Sequence, residues 1–180
     1  ERDSETYALG VGLGDTPLDG RDLVWFLDPN CGAFPTFATT LCHPRVHLKA
    51  HLEGIDTSRA VLAEQDLEIF ATLPKRGLYS ATSRLVECVD KGPGKGAMFR
   101  VVRDIHVDGG AVPVARATHV IFARGGGGFG GSADAAHRLP QTPDRPPDRK
   151  IDIRSAPNLA LIHRQSGDRN PLHVDPAHAR

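Results

Sequence analysis

The chain has 180 residues, enough for one ordinary domain or one and a fraction of a second. Its 22 Lys and Arg balance its 22 Asp and Glu. The formal charge is zero, so no nucleic-acid partner is expected, since that needs a basic excess on one face. No run approaches the ~18 to 20 apolar residues of a membrane span, and no signal peptide is visible.

The apolar share is 39%, and 19 glycines with 14 prolines point to long loops around a modest core. Cys31, Cys42 and Cys88 fit no zinc or thioredoxin spacing, and their odd count argues against a closed disulfide framework. They are expected to be reduced thiols in a cytosolic protein. The chain opens on Glu1 rather than Met, so it is expected to begin inside a longer one.

Residues 3 to 14 read as a helix capped by Ser4 that runs out into a glycine loop at Gly10, Gly12 and Gly14. That spacing is not the Gly-x-Gly-x-x-Gly of a dinucleotide site. Leu23 to Leu27 is a short apolar run closed by Asp28-Pro29-Asn30. Ala33 to Leu41 is a second one, whose periodicity does not decide between helix and strand.

From residue 60 onward the pattern alternates. Leu67, Ile69 and Ala71 share one face; Pro74-Lys75-Arg76-Gly77 is a turn; Leu78 to Val89 alternates again. Phe99 and Val101 lead to Ile105 and Val107 with an apparent phase slip near Arg103-Asp104. Asp108-Gly109-Gly110 is a hairpin signal, and Val114, Val120 and Phe122 follow. Four such strands predict an antiparallel meander. Its covered face needs an upstream partner, and residues 23 to 41 are the spare apolar segment. Gly125 to Gly131 lacks the Lys-Ser/Thr of a phosphate loop and reads as a flexible exit from the last strand. His137 to Lys150 is rich in proline and reads as a linker. Ser155 and Pro157 start a helix that continues from Leu159 to Gln165 and stops at Gly167.

Past that stop lies the densest polar stretch, Ser166-Gly167-Asp168-Arg169-Asn170-Pro171-Leu172-His173-Val174-Asp175-Pro176. Asp168 and His173 would stand about 140° apart on a straight helix. Pro171 prevents the helix from continuing through Asn170, so the chain must turn between them. A turn can bring a carboxylate and an imidazole to one water, where one takes a proton and the other holds or delivers one. That suits addition of water to a polarised double bond, or its reverse. The same residues also fit a structural turn beside a surface histidine. His173-x-Asp175-x-x-His178 is a weaker metal pattern, since Pro176 breaks the helical spacing of a zinc site, and no metal is expected.

This stretch resembles the signature of MaoC-like, (R)-specific enoyl-CoA hydratases. So do Tyr7-Ala8-Leu9-Gly10-Val11-Gly12, Pro35-Thr36-Phe37, Val89-Asp90-Lys91-Gly92, Gly127-Gly128-Phe129-Gly130-Gly131 and Arg145-Pro146-Pro147-Asp148, in the order of the two-domain members. The resemblance implies an α+β hotdog fold, a curved antiparallel sheet around a long helix. Residues 1–131 would be a non-catalytic N-terminal hotdog, 132–150 a linker, and 151–180 the start of the catalytic hotdog. The implied reaction is hydration of a trans-2-enoyl-CoA to a (3R)-3-hydroxyacyl-CoA, in fatty-acid or related β-oxidation, without metal or redox cofactor. A dehydratase acting on carrier-protein thioesters would use the same groups.

Asp168 and His173 would activate the water, with Asn170 in support. The backbone of Arg169, Asn170, Pro171 and Leu172 would lie along the substrate. Lys91 matches a lysine that contacts substrate in such enzymes; an exposed turn lysine is the plain alternative. Leu62-Ala63-Glu64-Gln65 stands where relatives often carry His-Gly-Glu-Gln, so Leu62 and Ala63 are expected to alter the substrate wall. Family members continue past this motif with backbone N–H groups that polarise the thioester carbonyl. The chain is therefore expected to be part of a longer active protein, or a subunit that binds acyl-CoA with a partner. A homodimer or a hotdog partner subunit is expected. No peroxisomal signal stands at Arg180, which fits a cytoplasmic location.

Overall fold

A computed structural model describes residues 1–43, 56–134 and 140–178. Four strands form one antiparallel sheet: β1 (Asp56–Ile69), β2 (Tyr79–Asp90), β3 (Ala97–Val107) and β4 (Ala115–Gly125). Their order is β1-β4-β3-β2. The last three strands form a meander, but β1 adds to the far edge, beside β4, instead of pairing with β2. Pro74-Lys75-Arg76-Gly77 is thus part of a crossover, not a hairpin. The crossover packs on the upstream loop. Ala33 N–H donates to the Leu73 carbonyl at 2.7 Å. A Cβ on Gly32 would come within 2.4 Å of the Thr72 side chain. Only glycine allows so close an approach.

The register fixes which side chains face the cover. Ala97 pairs with Ala123, Phe99 with Ile121, Arg103 with Ala117 and Ile105 with Ala115. Residues directly opposite share a face. Ala97, Phe99, Arg103, Ile105, Ala115, Ala117 and Ala123 are all buried. The odd-numbered residues of β3 stay in phase throughout. The apparent slip at Arg103-Asp104 is an arginine standing in a core position, not a break in the strand. In β4 the buried residues of the core face are alanines and His119, with Ile121 opposite Phe99 on that same face, whereas Val120 pairs with Arg100 and Phe122 with Met98 on the opposite face.

The cover comes from upstream, as the apolar count demands. Ala33, Phe37 and Ala38 pack with Leu73, Ile105 and Ala115. Phe37 and Ala38 lie on a 3-10 helix, Pro35–Thr39, so the undecided run from Ala33 to Leu41 is helical at its centre. Pro35 at its first position suits a helix start. Helix α2 (Gly20–Leu27) is capped by Asp19, whose side chain accepts the Arg21 N–H. It reaches the cover through an edge-on contact of Trp25 with Phe34, 5.0 Å between ring centres. Helix α1 spans Arg2–Gly10 with Glu1 at its N-cap. Ser4 is buried within it and is not the cap expected from the sequence. Among the described residues no helix is long and apolar enough to cross a membrane.

The glycine segment after β4 is not a loose exit. The Asp90 carboxylate accepts N–H bonds from Gly92 at 2.8 Å and from Gly128 and Gly130 at 2.7 Å each. The Gly128 and Gly92 donors hold its carboxyl below the usual range against partial desolvation, with Gly130 and Gly131 adding to them. A Cβ at Gly127 would collide with the Gly92 and Gly96 carbonyls at 2.2 and 2.5 Å. Phe129 then stacks on Phe99 of the core, 6.3 Å between centres.

Candidate active site

The polar stretch near the C-terminal end sits on a short frame. Helix α3 (Leu159–Gln165) has Asn158 at its N-cap without a side-chain bond. It begins one turn later than Ser155 would have placed it. Its docking surface is α1, where Gly10 leaves room for Ile162; a Cβ there would lie 3.0 Å from the Ile162 side chain. Gly167, at φ +111°, ends the helix as the sequence predicts. The chain then turns through bonds internal to the motif. Asp168 Oδ1 accepts the Asn170 N–H at 2.9 Å, and Asn170 Oδ1 accepts the Leu172 N–H at 3.1 Å. Asn170 is extended before Pro171, as a residue preceding proline must be. It caps a 3-10 helix, Pro171–His173, whose last residue is the histidine of the motif.

This turn brings Asp168 Oδ2 and His173 Nε2 to 3.4 Å. Their side chains are 41% and 44% exposed, so water reaches both. A third group joins them. His163, in the last turn of α3, places Nε2 at 3.3 Å from the same Asp168 oxygen. Its ring meets His173 edge-on, 5.6 Å between centres. Burial is the largest influence on the Asp168 carboxyl and raises it. The Asn170 N–H, the His163 hydrogen bond and the two imidazole charges together outweigh that, and it lies below its ordinary value. Asp168 is thus held as a carboxylate between two imidazoles.

Sequence reasoning missed His163, which looked like one polar residue on a short helix. The signal was its spacing: His163, Asp168 and His173 recur at intervals of five. A helical turn, a glycine stop and a 3-10 turn convert that spacing into convergence. His178 Nδ1 instead pairs with Asp175 Oδ2 at 2.9 Å, apart from this cluster.

The other expected substrate residues stand elsewhere. Lys91 follows β2, and its ammonium lies 3.4 Å from the Ala133 carbonyl. Leu62 is 58% exposed on β1, and the register breaks between Leu62 and Glu64, which sets Ala63 in a bulge. Arg169 is tied locally, its carbonyl accepting from Arg164 Nη1 at 3.0 Å. A depression of about 420 Å³ lined by Trp25, Ala33, Ile69 and Leu73 contains none of the expected site residues.

The family model of the MFE-2 hydratase 2 N-terminal domain matches residues 1–125. The chain belongs to this family. The chain is 34% identical over 181 residues to 3-hydroxyacyl-thioester dehydratase Y of Mycobacterium tuberculosis, covering 98% of this chain and 60% of that protein. It is 30% identical to the peroxisomal enoyl-CoA hydratase 2 of Arabidopsis thaliana, covering all of this chain and 63% of that protein. The crystal structure of a MaoC-like dehydratase from Phytophthora capsici superposes with a TM-score of 0.78 at 27% identity, over 99% of this chain and 62% of that one. The α+β hotdog expected from the sequence is therefore the fold of this MFE-2 hydratase 2 relative. The chain spans about 60% of the length of these relatives.

Proposed function

We propose that this chain is the N-terminal hotdog and the opening of the catalytic hotdog of an (R)-specific enoyl-CoA hydratase. The observation that carries the proposal is the 3.4 Å approach of Asp168 to His173 on a turn open to solvent. In the hydration direction Asp168 takes one proton from water as the water oxygen bonds to C3 of the enoyl thioester. A protonated His173 delivers a proton to C2. The short path between the two side chains then returns the proton from Asp168 to His173 and resets the pair. General acid–base help of this kind contributes about 10²- to 10⁴-fold.

The reverse reaction uses the same atoms, so a dehydratase acting on a 3-hydroxyacyl thioester is the second reading. It is favoured by the name of the Mycobacterium tuberculosis relative. Both readings need donors for the thioester carbonyl, supplied by further chain or by a partner hotdog. Domain limits at 131 and 150 belong to the same proposal.

Crotonyl-CoA hydration, with the stereochemistry of the product, tests it. The assay is run on the purified 180-residue chain and on the longer or partnered protein that contains it. Formation of (3R)-3-hydroxybutyryl-CoA by either preparation supports the reading. Absence of hydration and of the reverse dehydration in both overturns it.

A further inference from the structure

The geometry points to a site for one Zn²⁺-class ion at His163 Nε2, Asp168 Oδ2 and His173 Nε2, whose occupancy shuts off the water-handling pair. This rests on the proposed hydratase reading for its consequence, but not for its chemistry. Among the described residues these three form the one group of three or more such side chains whose ligand atoms converge, all within 4.8 Å of one another.

The distances suit a tetrahedral ion. Zinc bonds nitrogen and oxygen at about 2.0–2.2 Å, so neighbouring ligand atoms around it lie roughly 3.3–3.5 Å apart. The two histidine nitrogens stand 3.3 and 3.4 Å from Asp168 Oδ2. Two edges of the tetrahedron are thus already in place, and the two imidazole nitrogens lie within 4.8 Å of each other. The rings meet edge-on at 84° and are not stacked on one another.

The donor set selects the class of ion. Two imidazoles and a single carboxylate suit zinc, cobalt, nickel or copper. Magnesium and calcium favour oxygen ligands. Three protein ligands leave a fourth position for water. The site is also entered without rearrangement, since the three side chains are 45%, 41% and 44% exposed.

The frame is organised independently of any ion. Asp168 Oδ1 is engaged by the Asn170 N–H, which aims Oδ2 at the histidines. Such outer bonds orient metal ligands. The consequence for activity follows from the atoms involved. Asp168 Oδ2 and His173 Nε2 exchange protons in the proposed reaction, and a lone pair given to a metal is lost to a proton. The ion is therefore a reversible inhibitor, and a chelator restores the rate.

The test uses the purified chain and Co²⁺, then Zn²⁺ in competition. Wild type is expected to bind one Co²⁺ with the visible spectrum of a four-coordinate ion, and Zn²⁺ to displace it. His163→Gln is expected to weaken binding at least ~10-fold, while His178→Gln, in the separate Asp175 pair, leaves it unchanged. Circular dichroism confirms that both variants stay folded. Absence of Co²⁺ binding to wild type, or equal binding by His163→Gln, overturns the site. Where hydration is measurable, Zn²⁺ is expected to suppress it and a chelator to restore it. Full activity with the site occupied overturns the inhibitory role. The metal titration needs no turnover, so failure of the hydratase reading leaves its outcome readable.

Discussion

The inner face of the sheet and the turn after α3 both hold polar side chains, under opposite conditions. Arg103 and His119 are 1% and 8% exposed. Arg103 Nη2 donates to the Thr39 carbonyl at 2.7 Å, but its Nε and Nη1, and His119 Nε2, find no hydrogen-bond partner among the described residues. Burial, then the Arg103 charge, then His43, push the His119 imidazole down to about 4. Asp168, His163 and His173 instead stay open to solvent and share one oxygen. A buried imidazole is locked neutral and loads the fold with a desolvation cost. An open imidazole beside a carboxylate can exchange protons with a substrate and its water. Position in the fold, not residue type, separates a structural histidine from one fit for chemistry.

Four measurements would break or sharpen this contrast. Phe99 is fully buried in the sheet core, so Phe99→Ala should cost ~3–5 kcal/mol in denaturant unfolding. A cost near zero would mean the sheet is not the stability centre. The pH dependence of His119 comes next. Its folded pKa lies below the unfolded value, so the unfolded chain binds more protons between pH 6.5 and about 4. Stability should fall as pH drops through that window, by on the order of 3 kcal/mol in total. His119→Gln should flatten the wild-type curve there, and identical slopes would contradict the burial argument. Gly127→Ala forces a Cβ into the Gly92 and Gly96 carbonyls and should destabilise by ~1–3 kcal/mol. An unaffected variant would show that the Asp90-pinned loop yields. Leu172→Ala, on the exposed turn at 46% exposure, should change stability by less than ~0.5 kcal/mol.

Much of the sheet was legible in the sequence because alternation reports burial directly. β2 and β3 follow the predicted runs. Arg103 misled because an arginine at a core position looks like a break in phase. The alanines of β4 misled because they fill the core without looking apolar enough. The placement of β1 beside β4 was hidden, since pairing across the chain is set by the packing of Leu73 on Ala33 and not by neighbouring residues. The role of Asp90 was hidden as well, since its partners Gly128 and Gly130 lie far along the chain. In the site, Asp168 and His173 stood out because Pro171 forces a turn between them. His163 did not, because convergence across a helix end leaves no local pattern.

The central claim is that Asp168 and His173 handle water for an enoyl-thioester reaction. It is tested most directly by crotonyl-CoA turnover in the active protein containing this chain, with Asp168→Asn and His173→Ala each compared with wild type. Thermal melting is measured in parallel. In the 180-residue chain both side chains are open to solvent and no residue of α3 or of the 3-10 turn is buried, so the melting of that chain should stay unchanged. Turnover should fall by ~10² or more in each variant. Wild-type turnover in either variant would contradict the account.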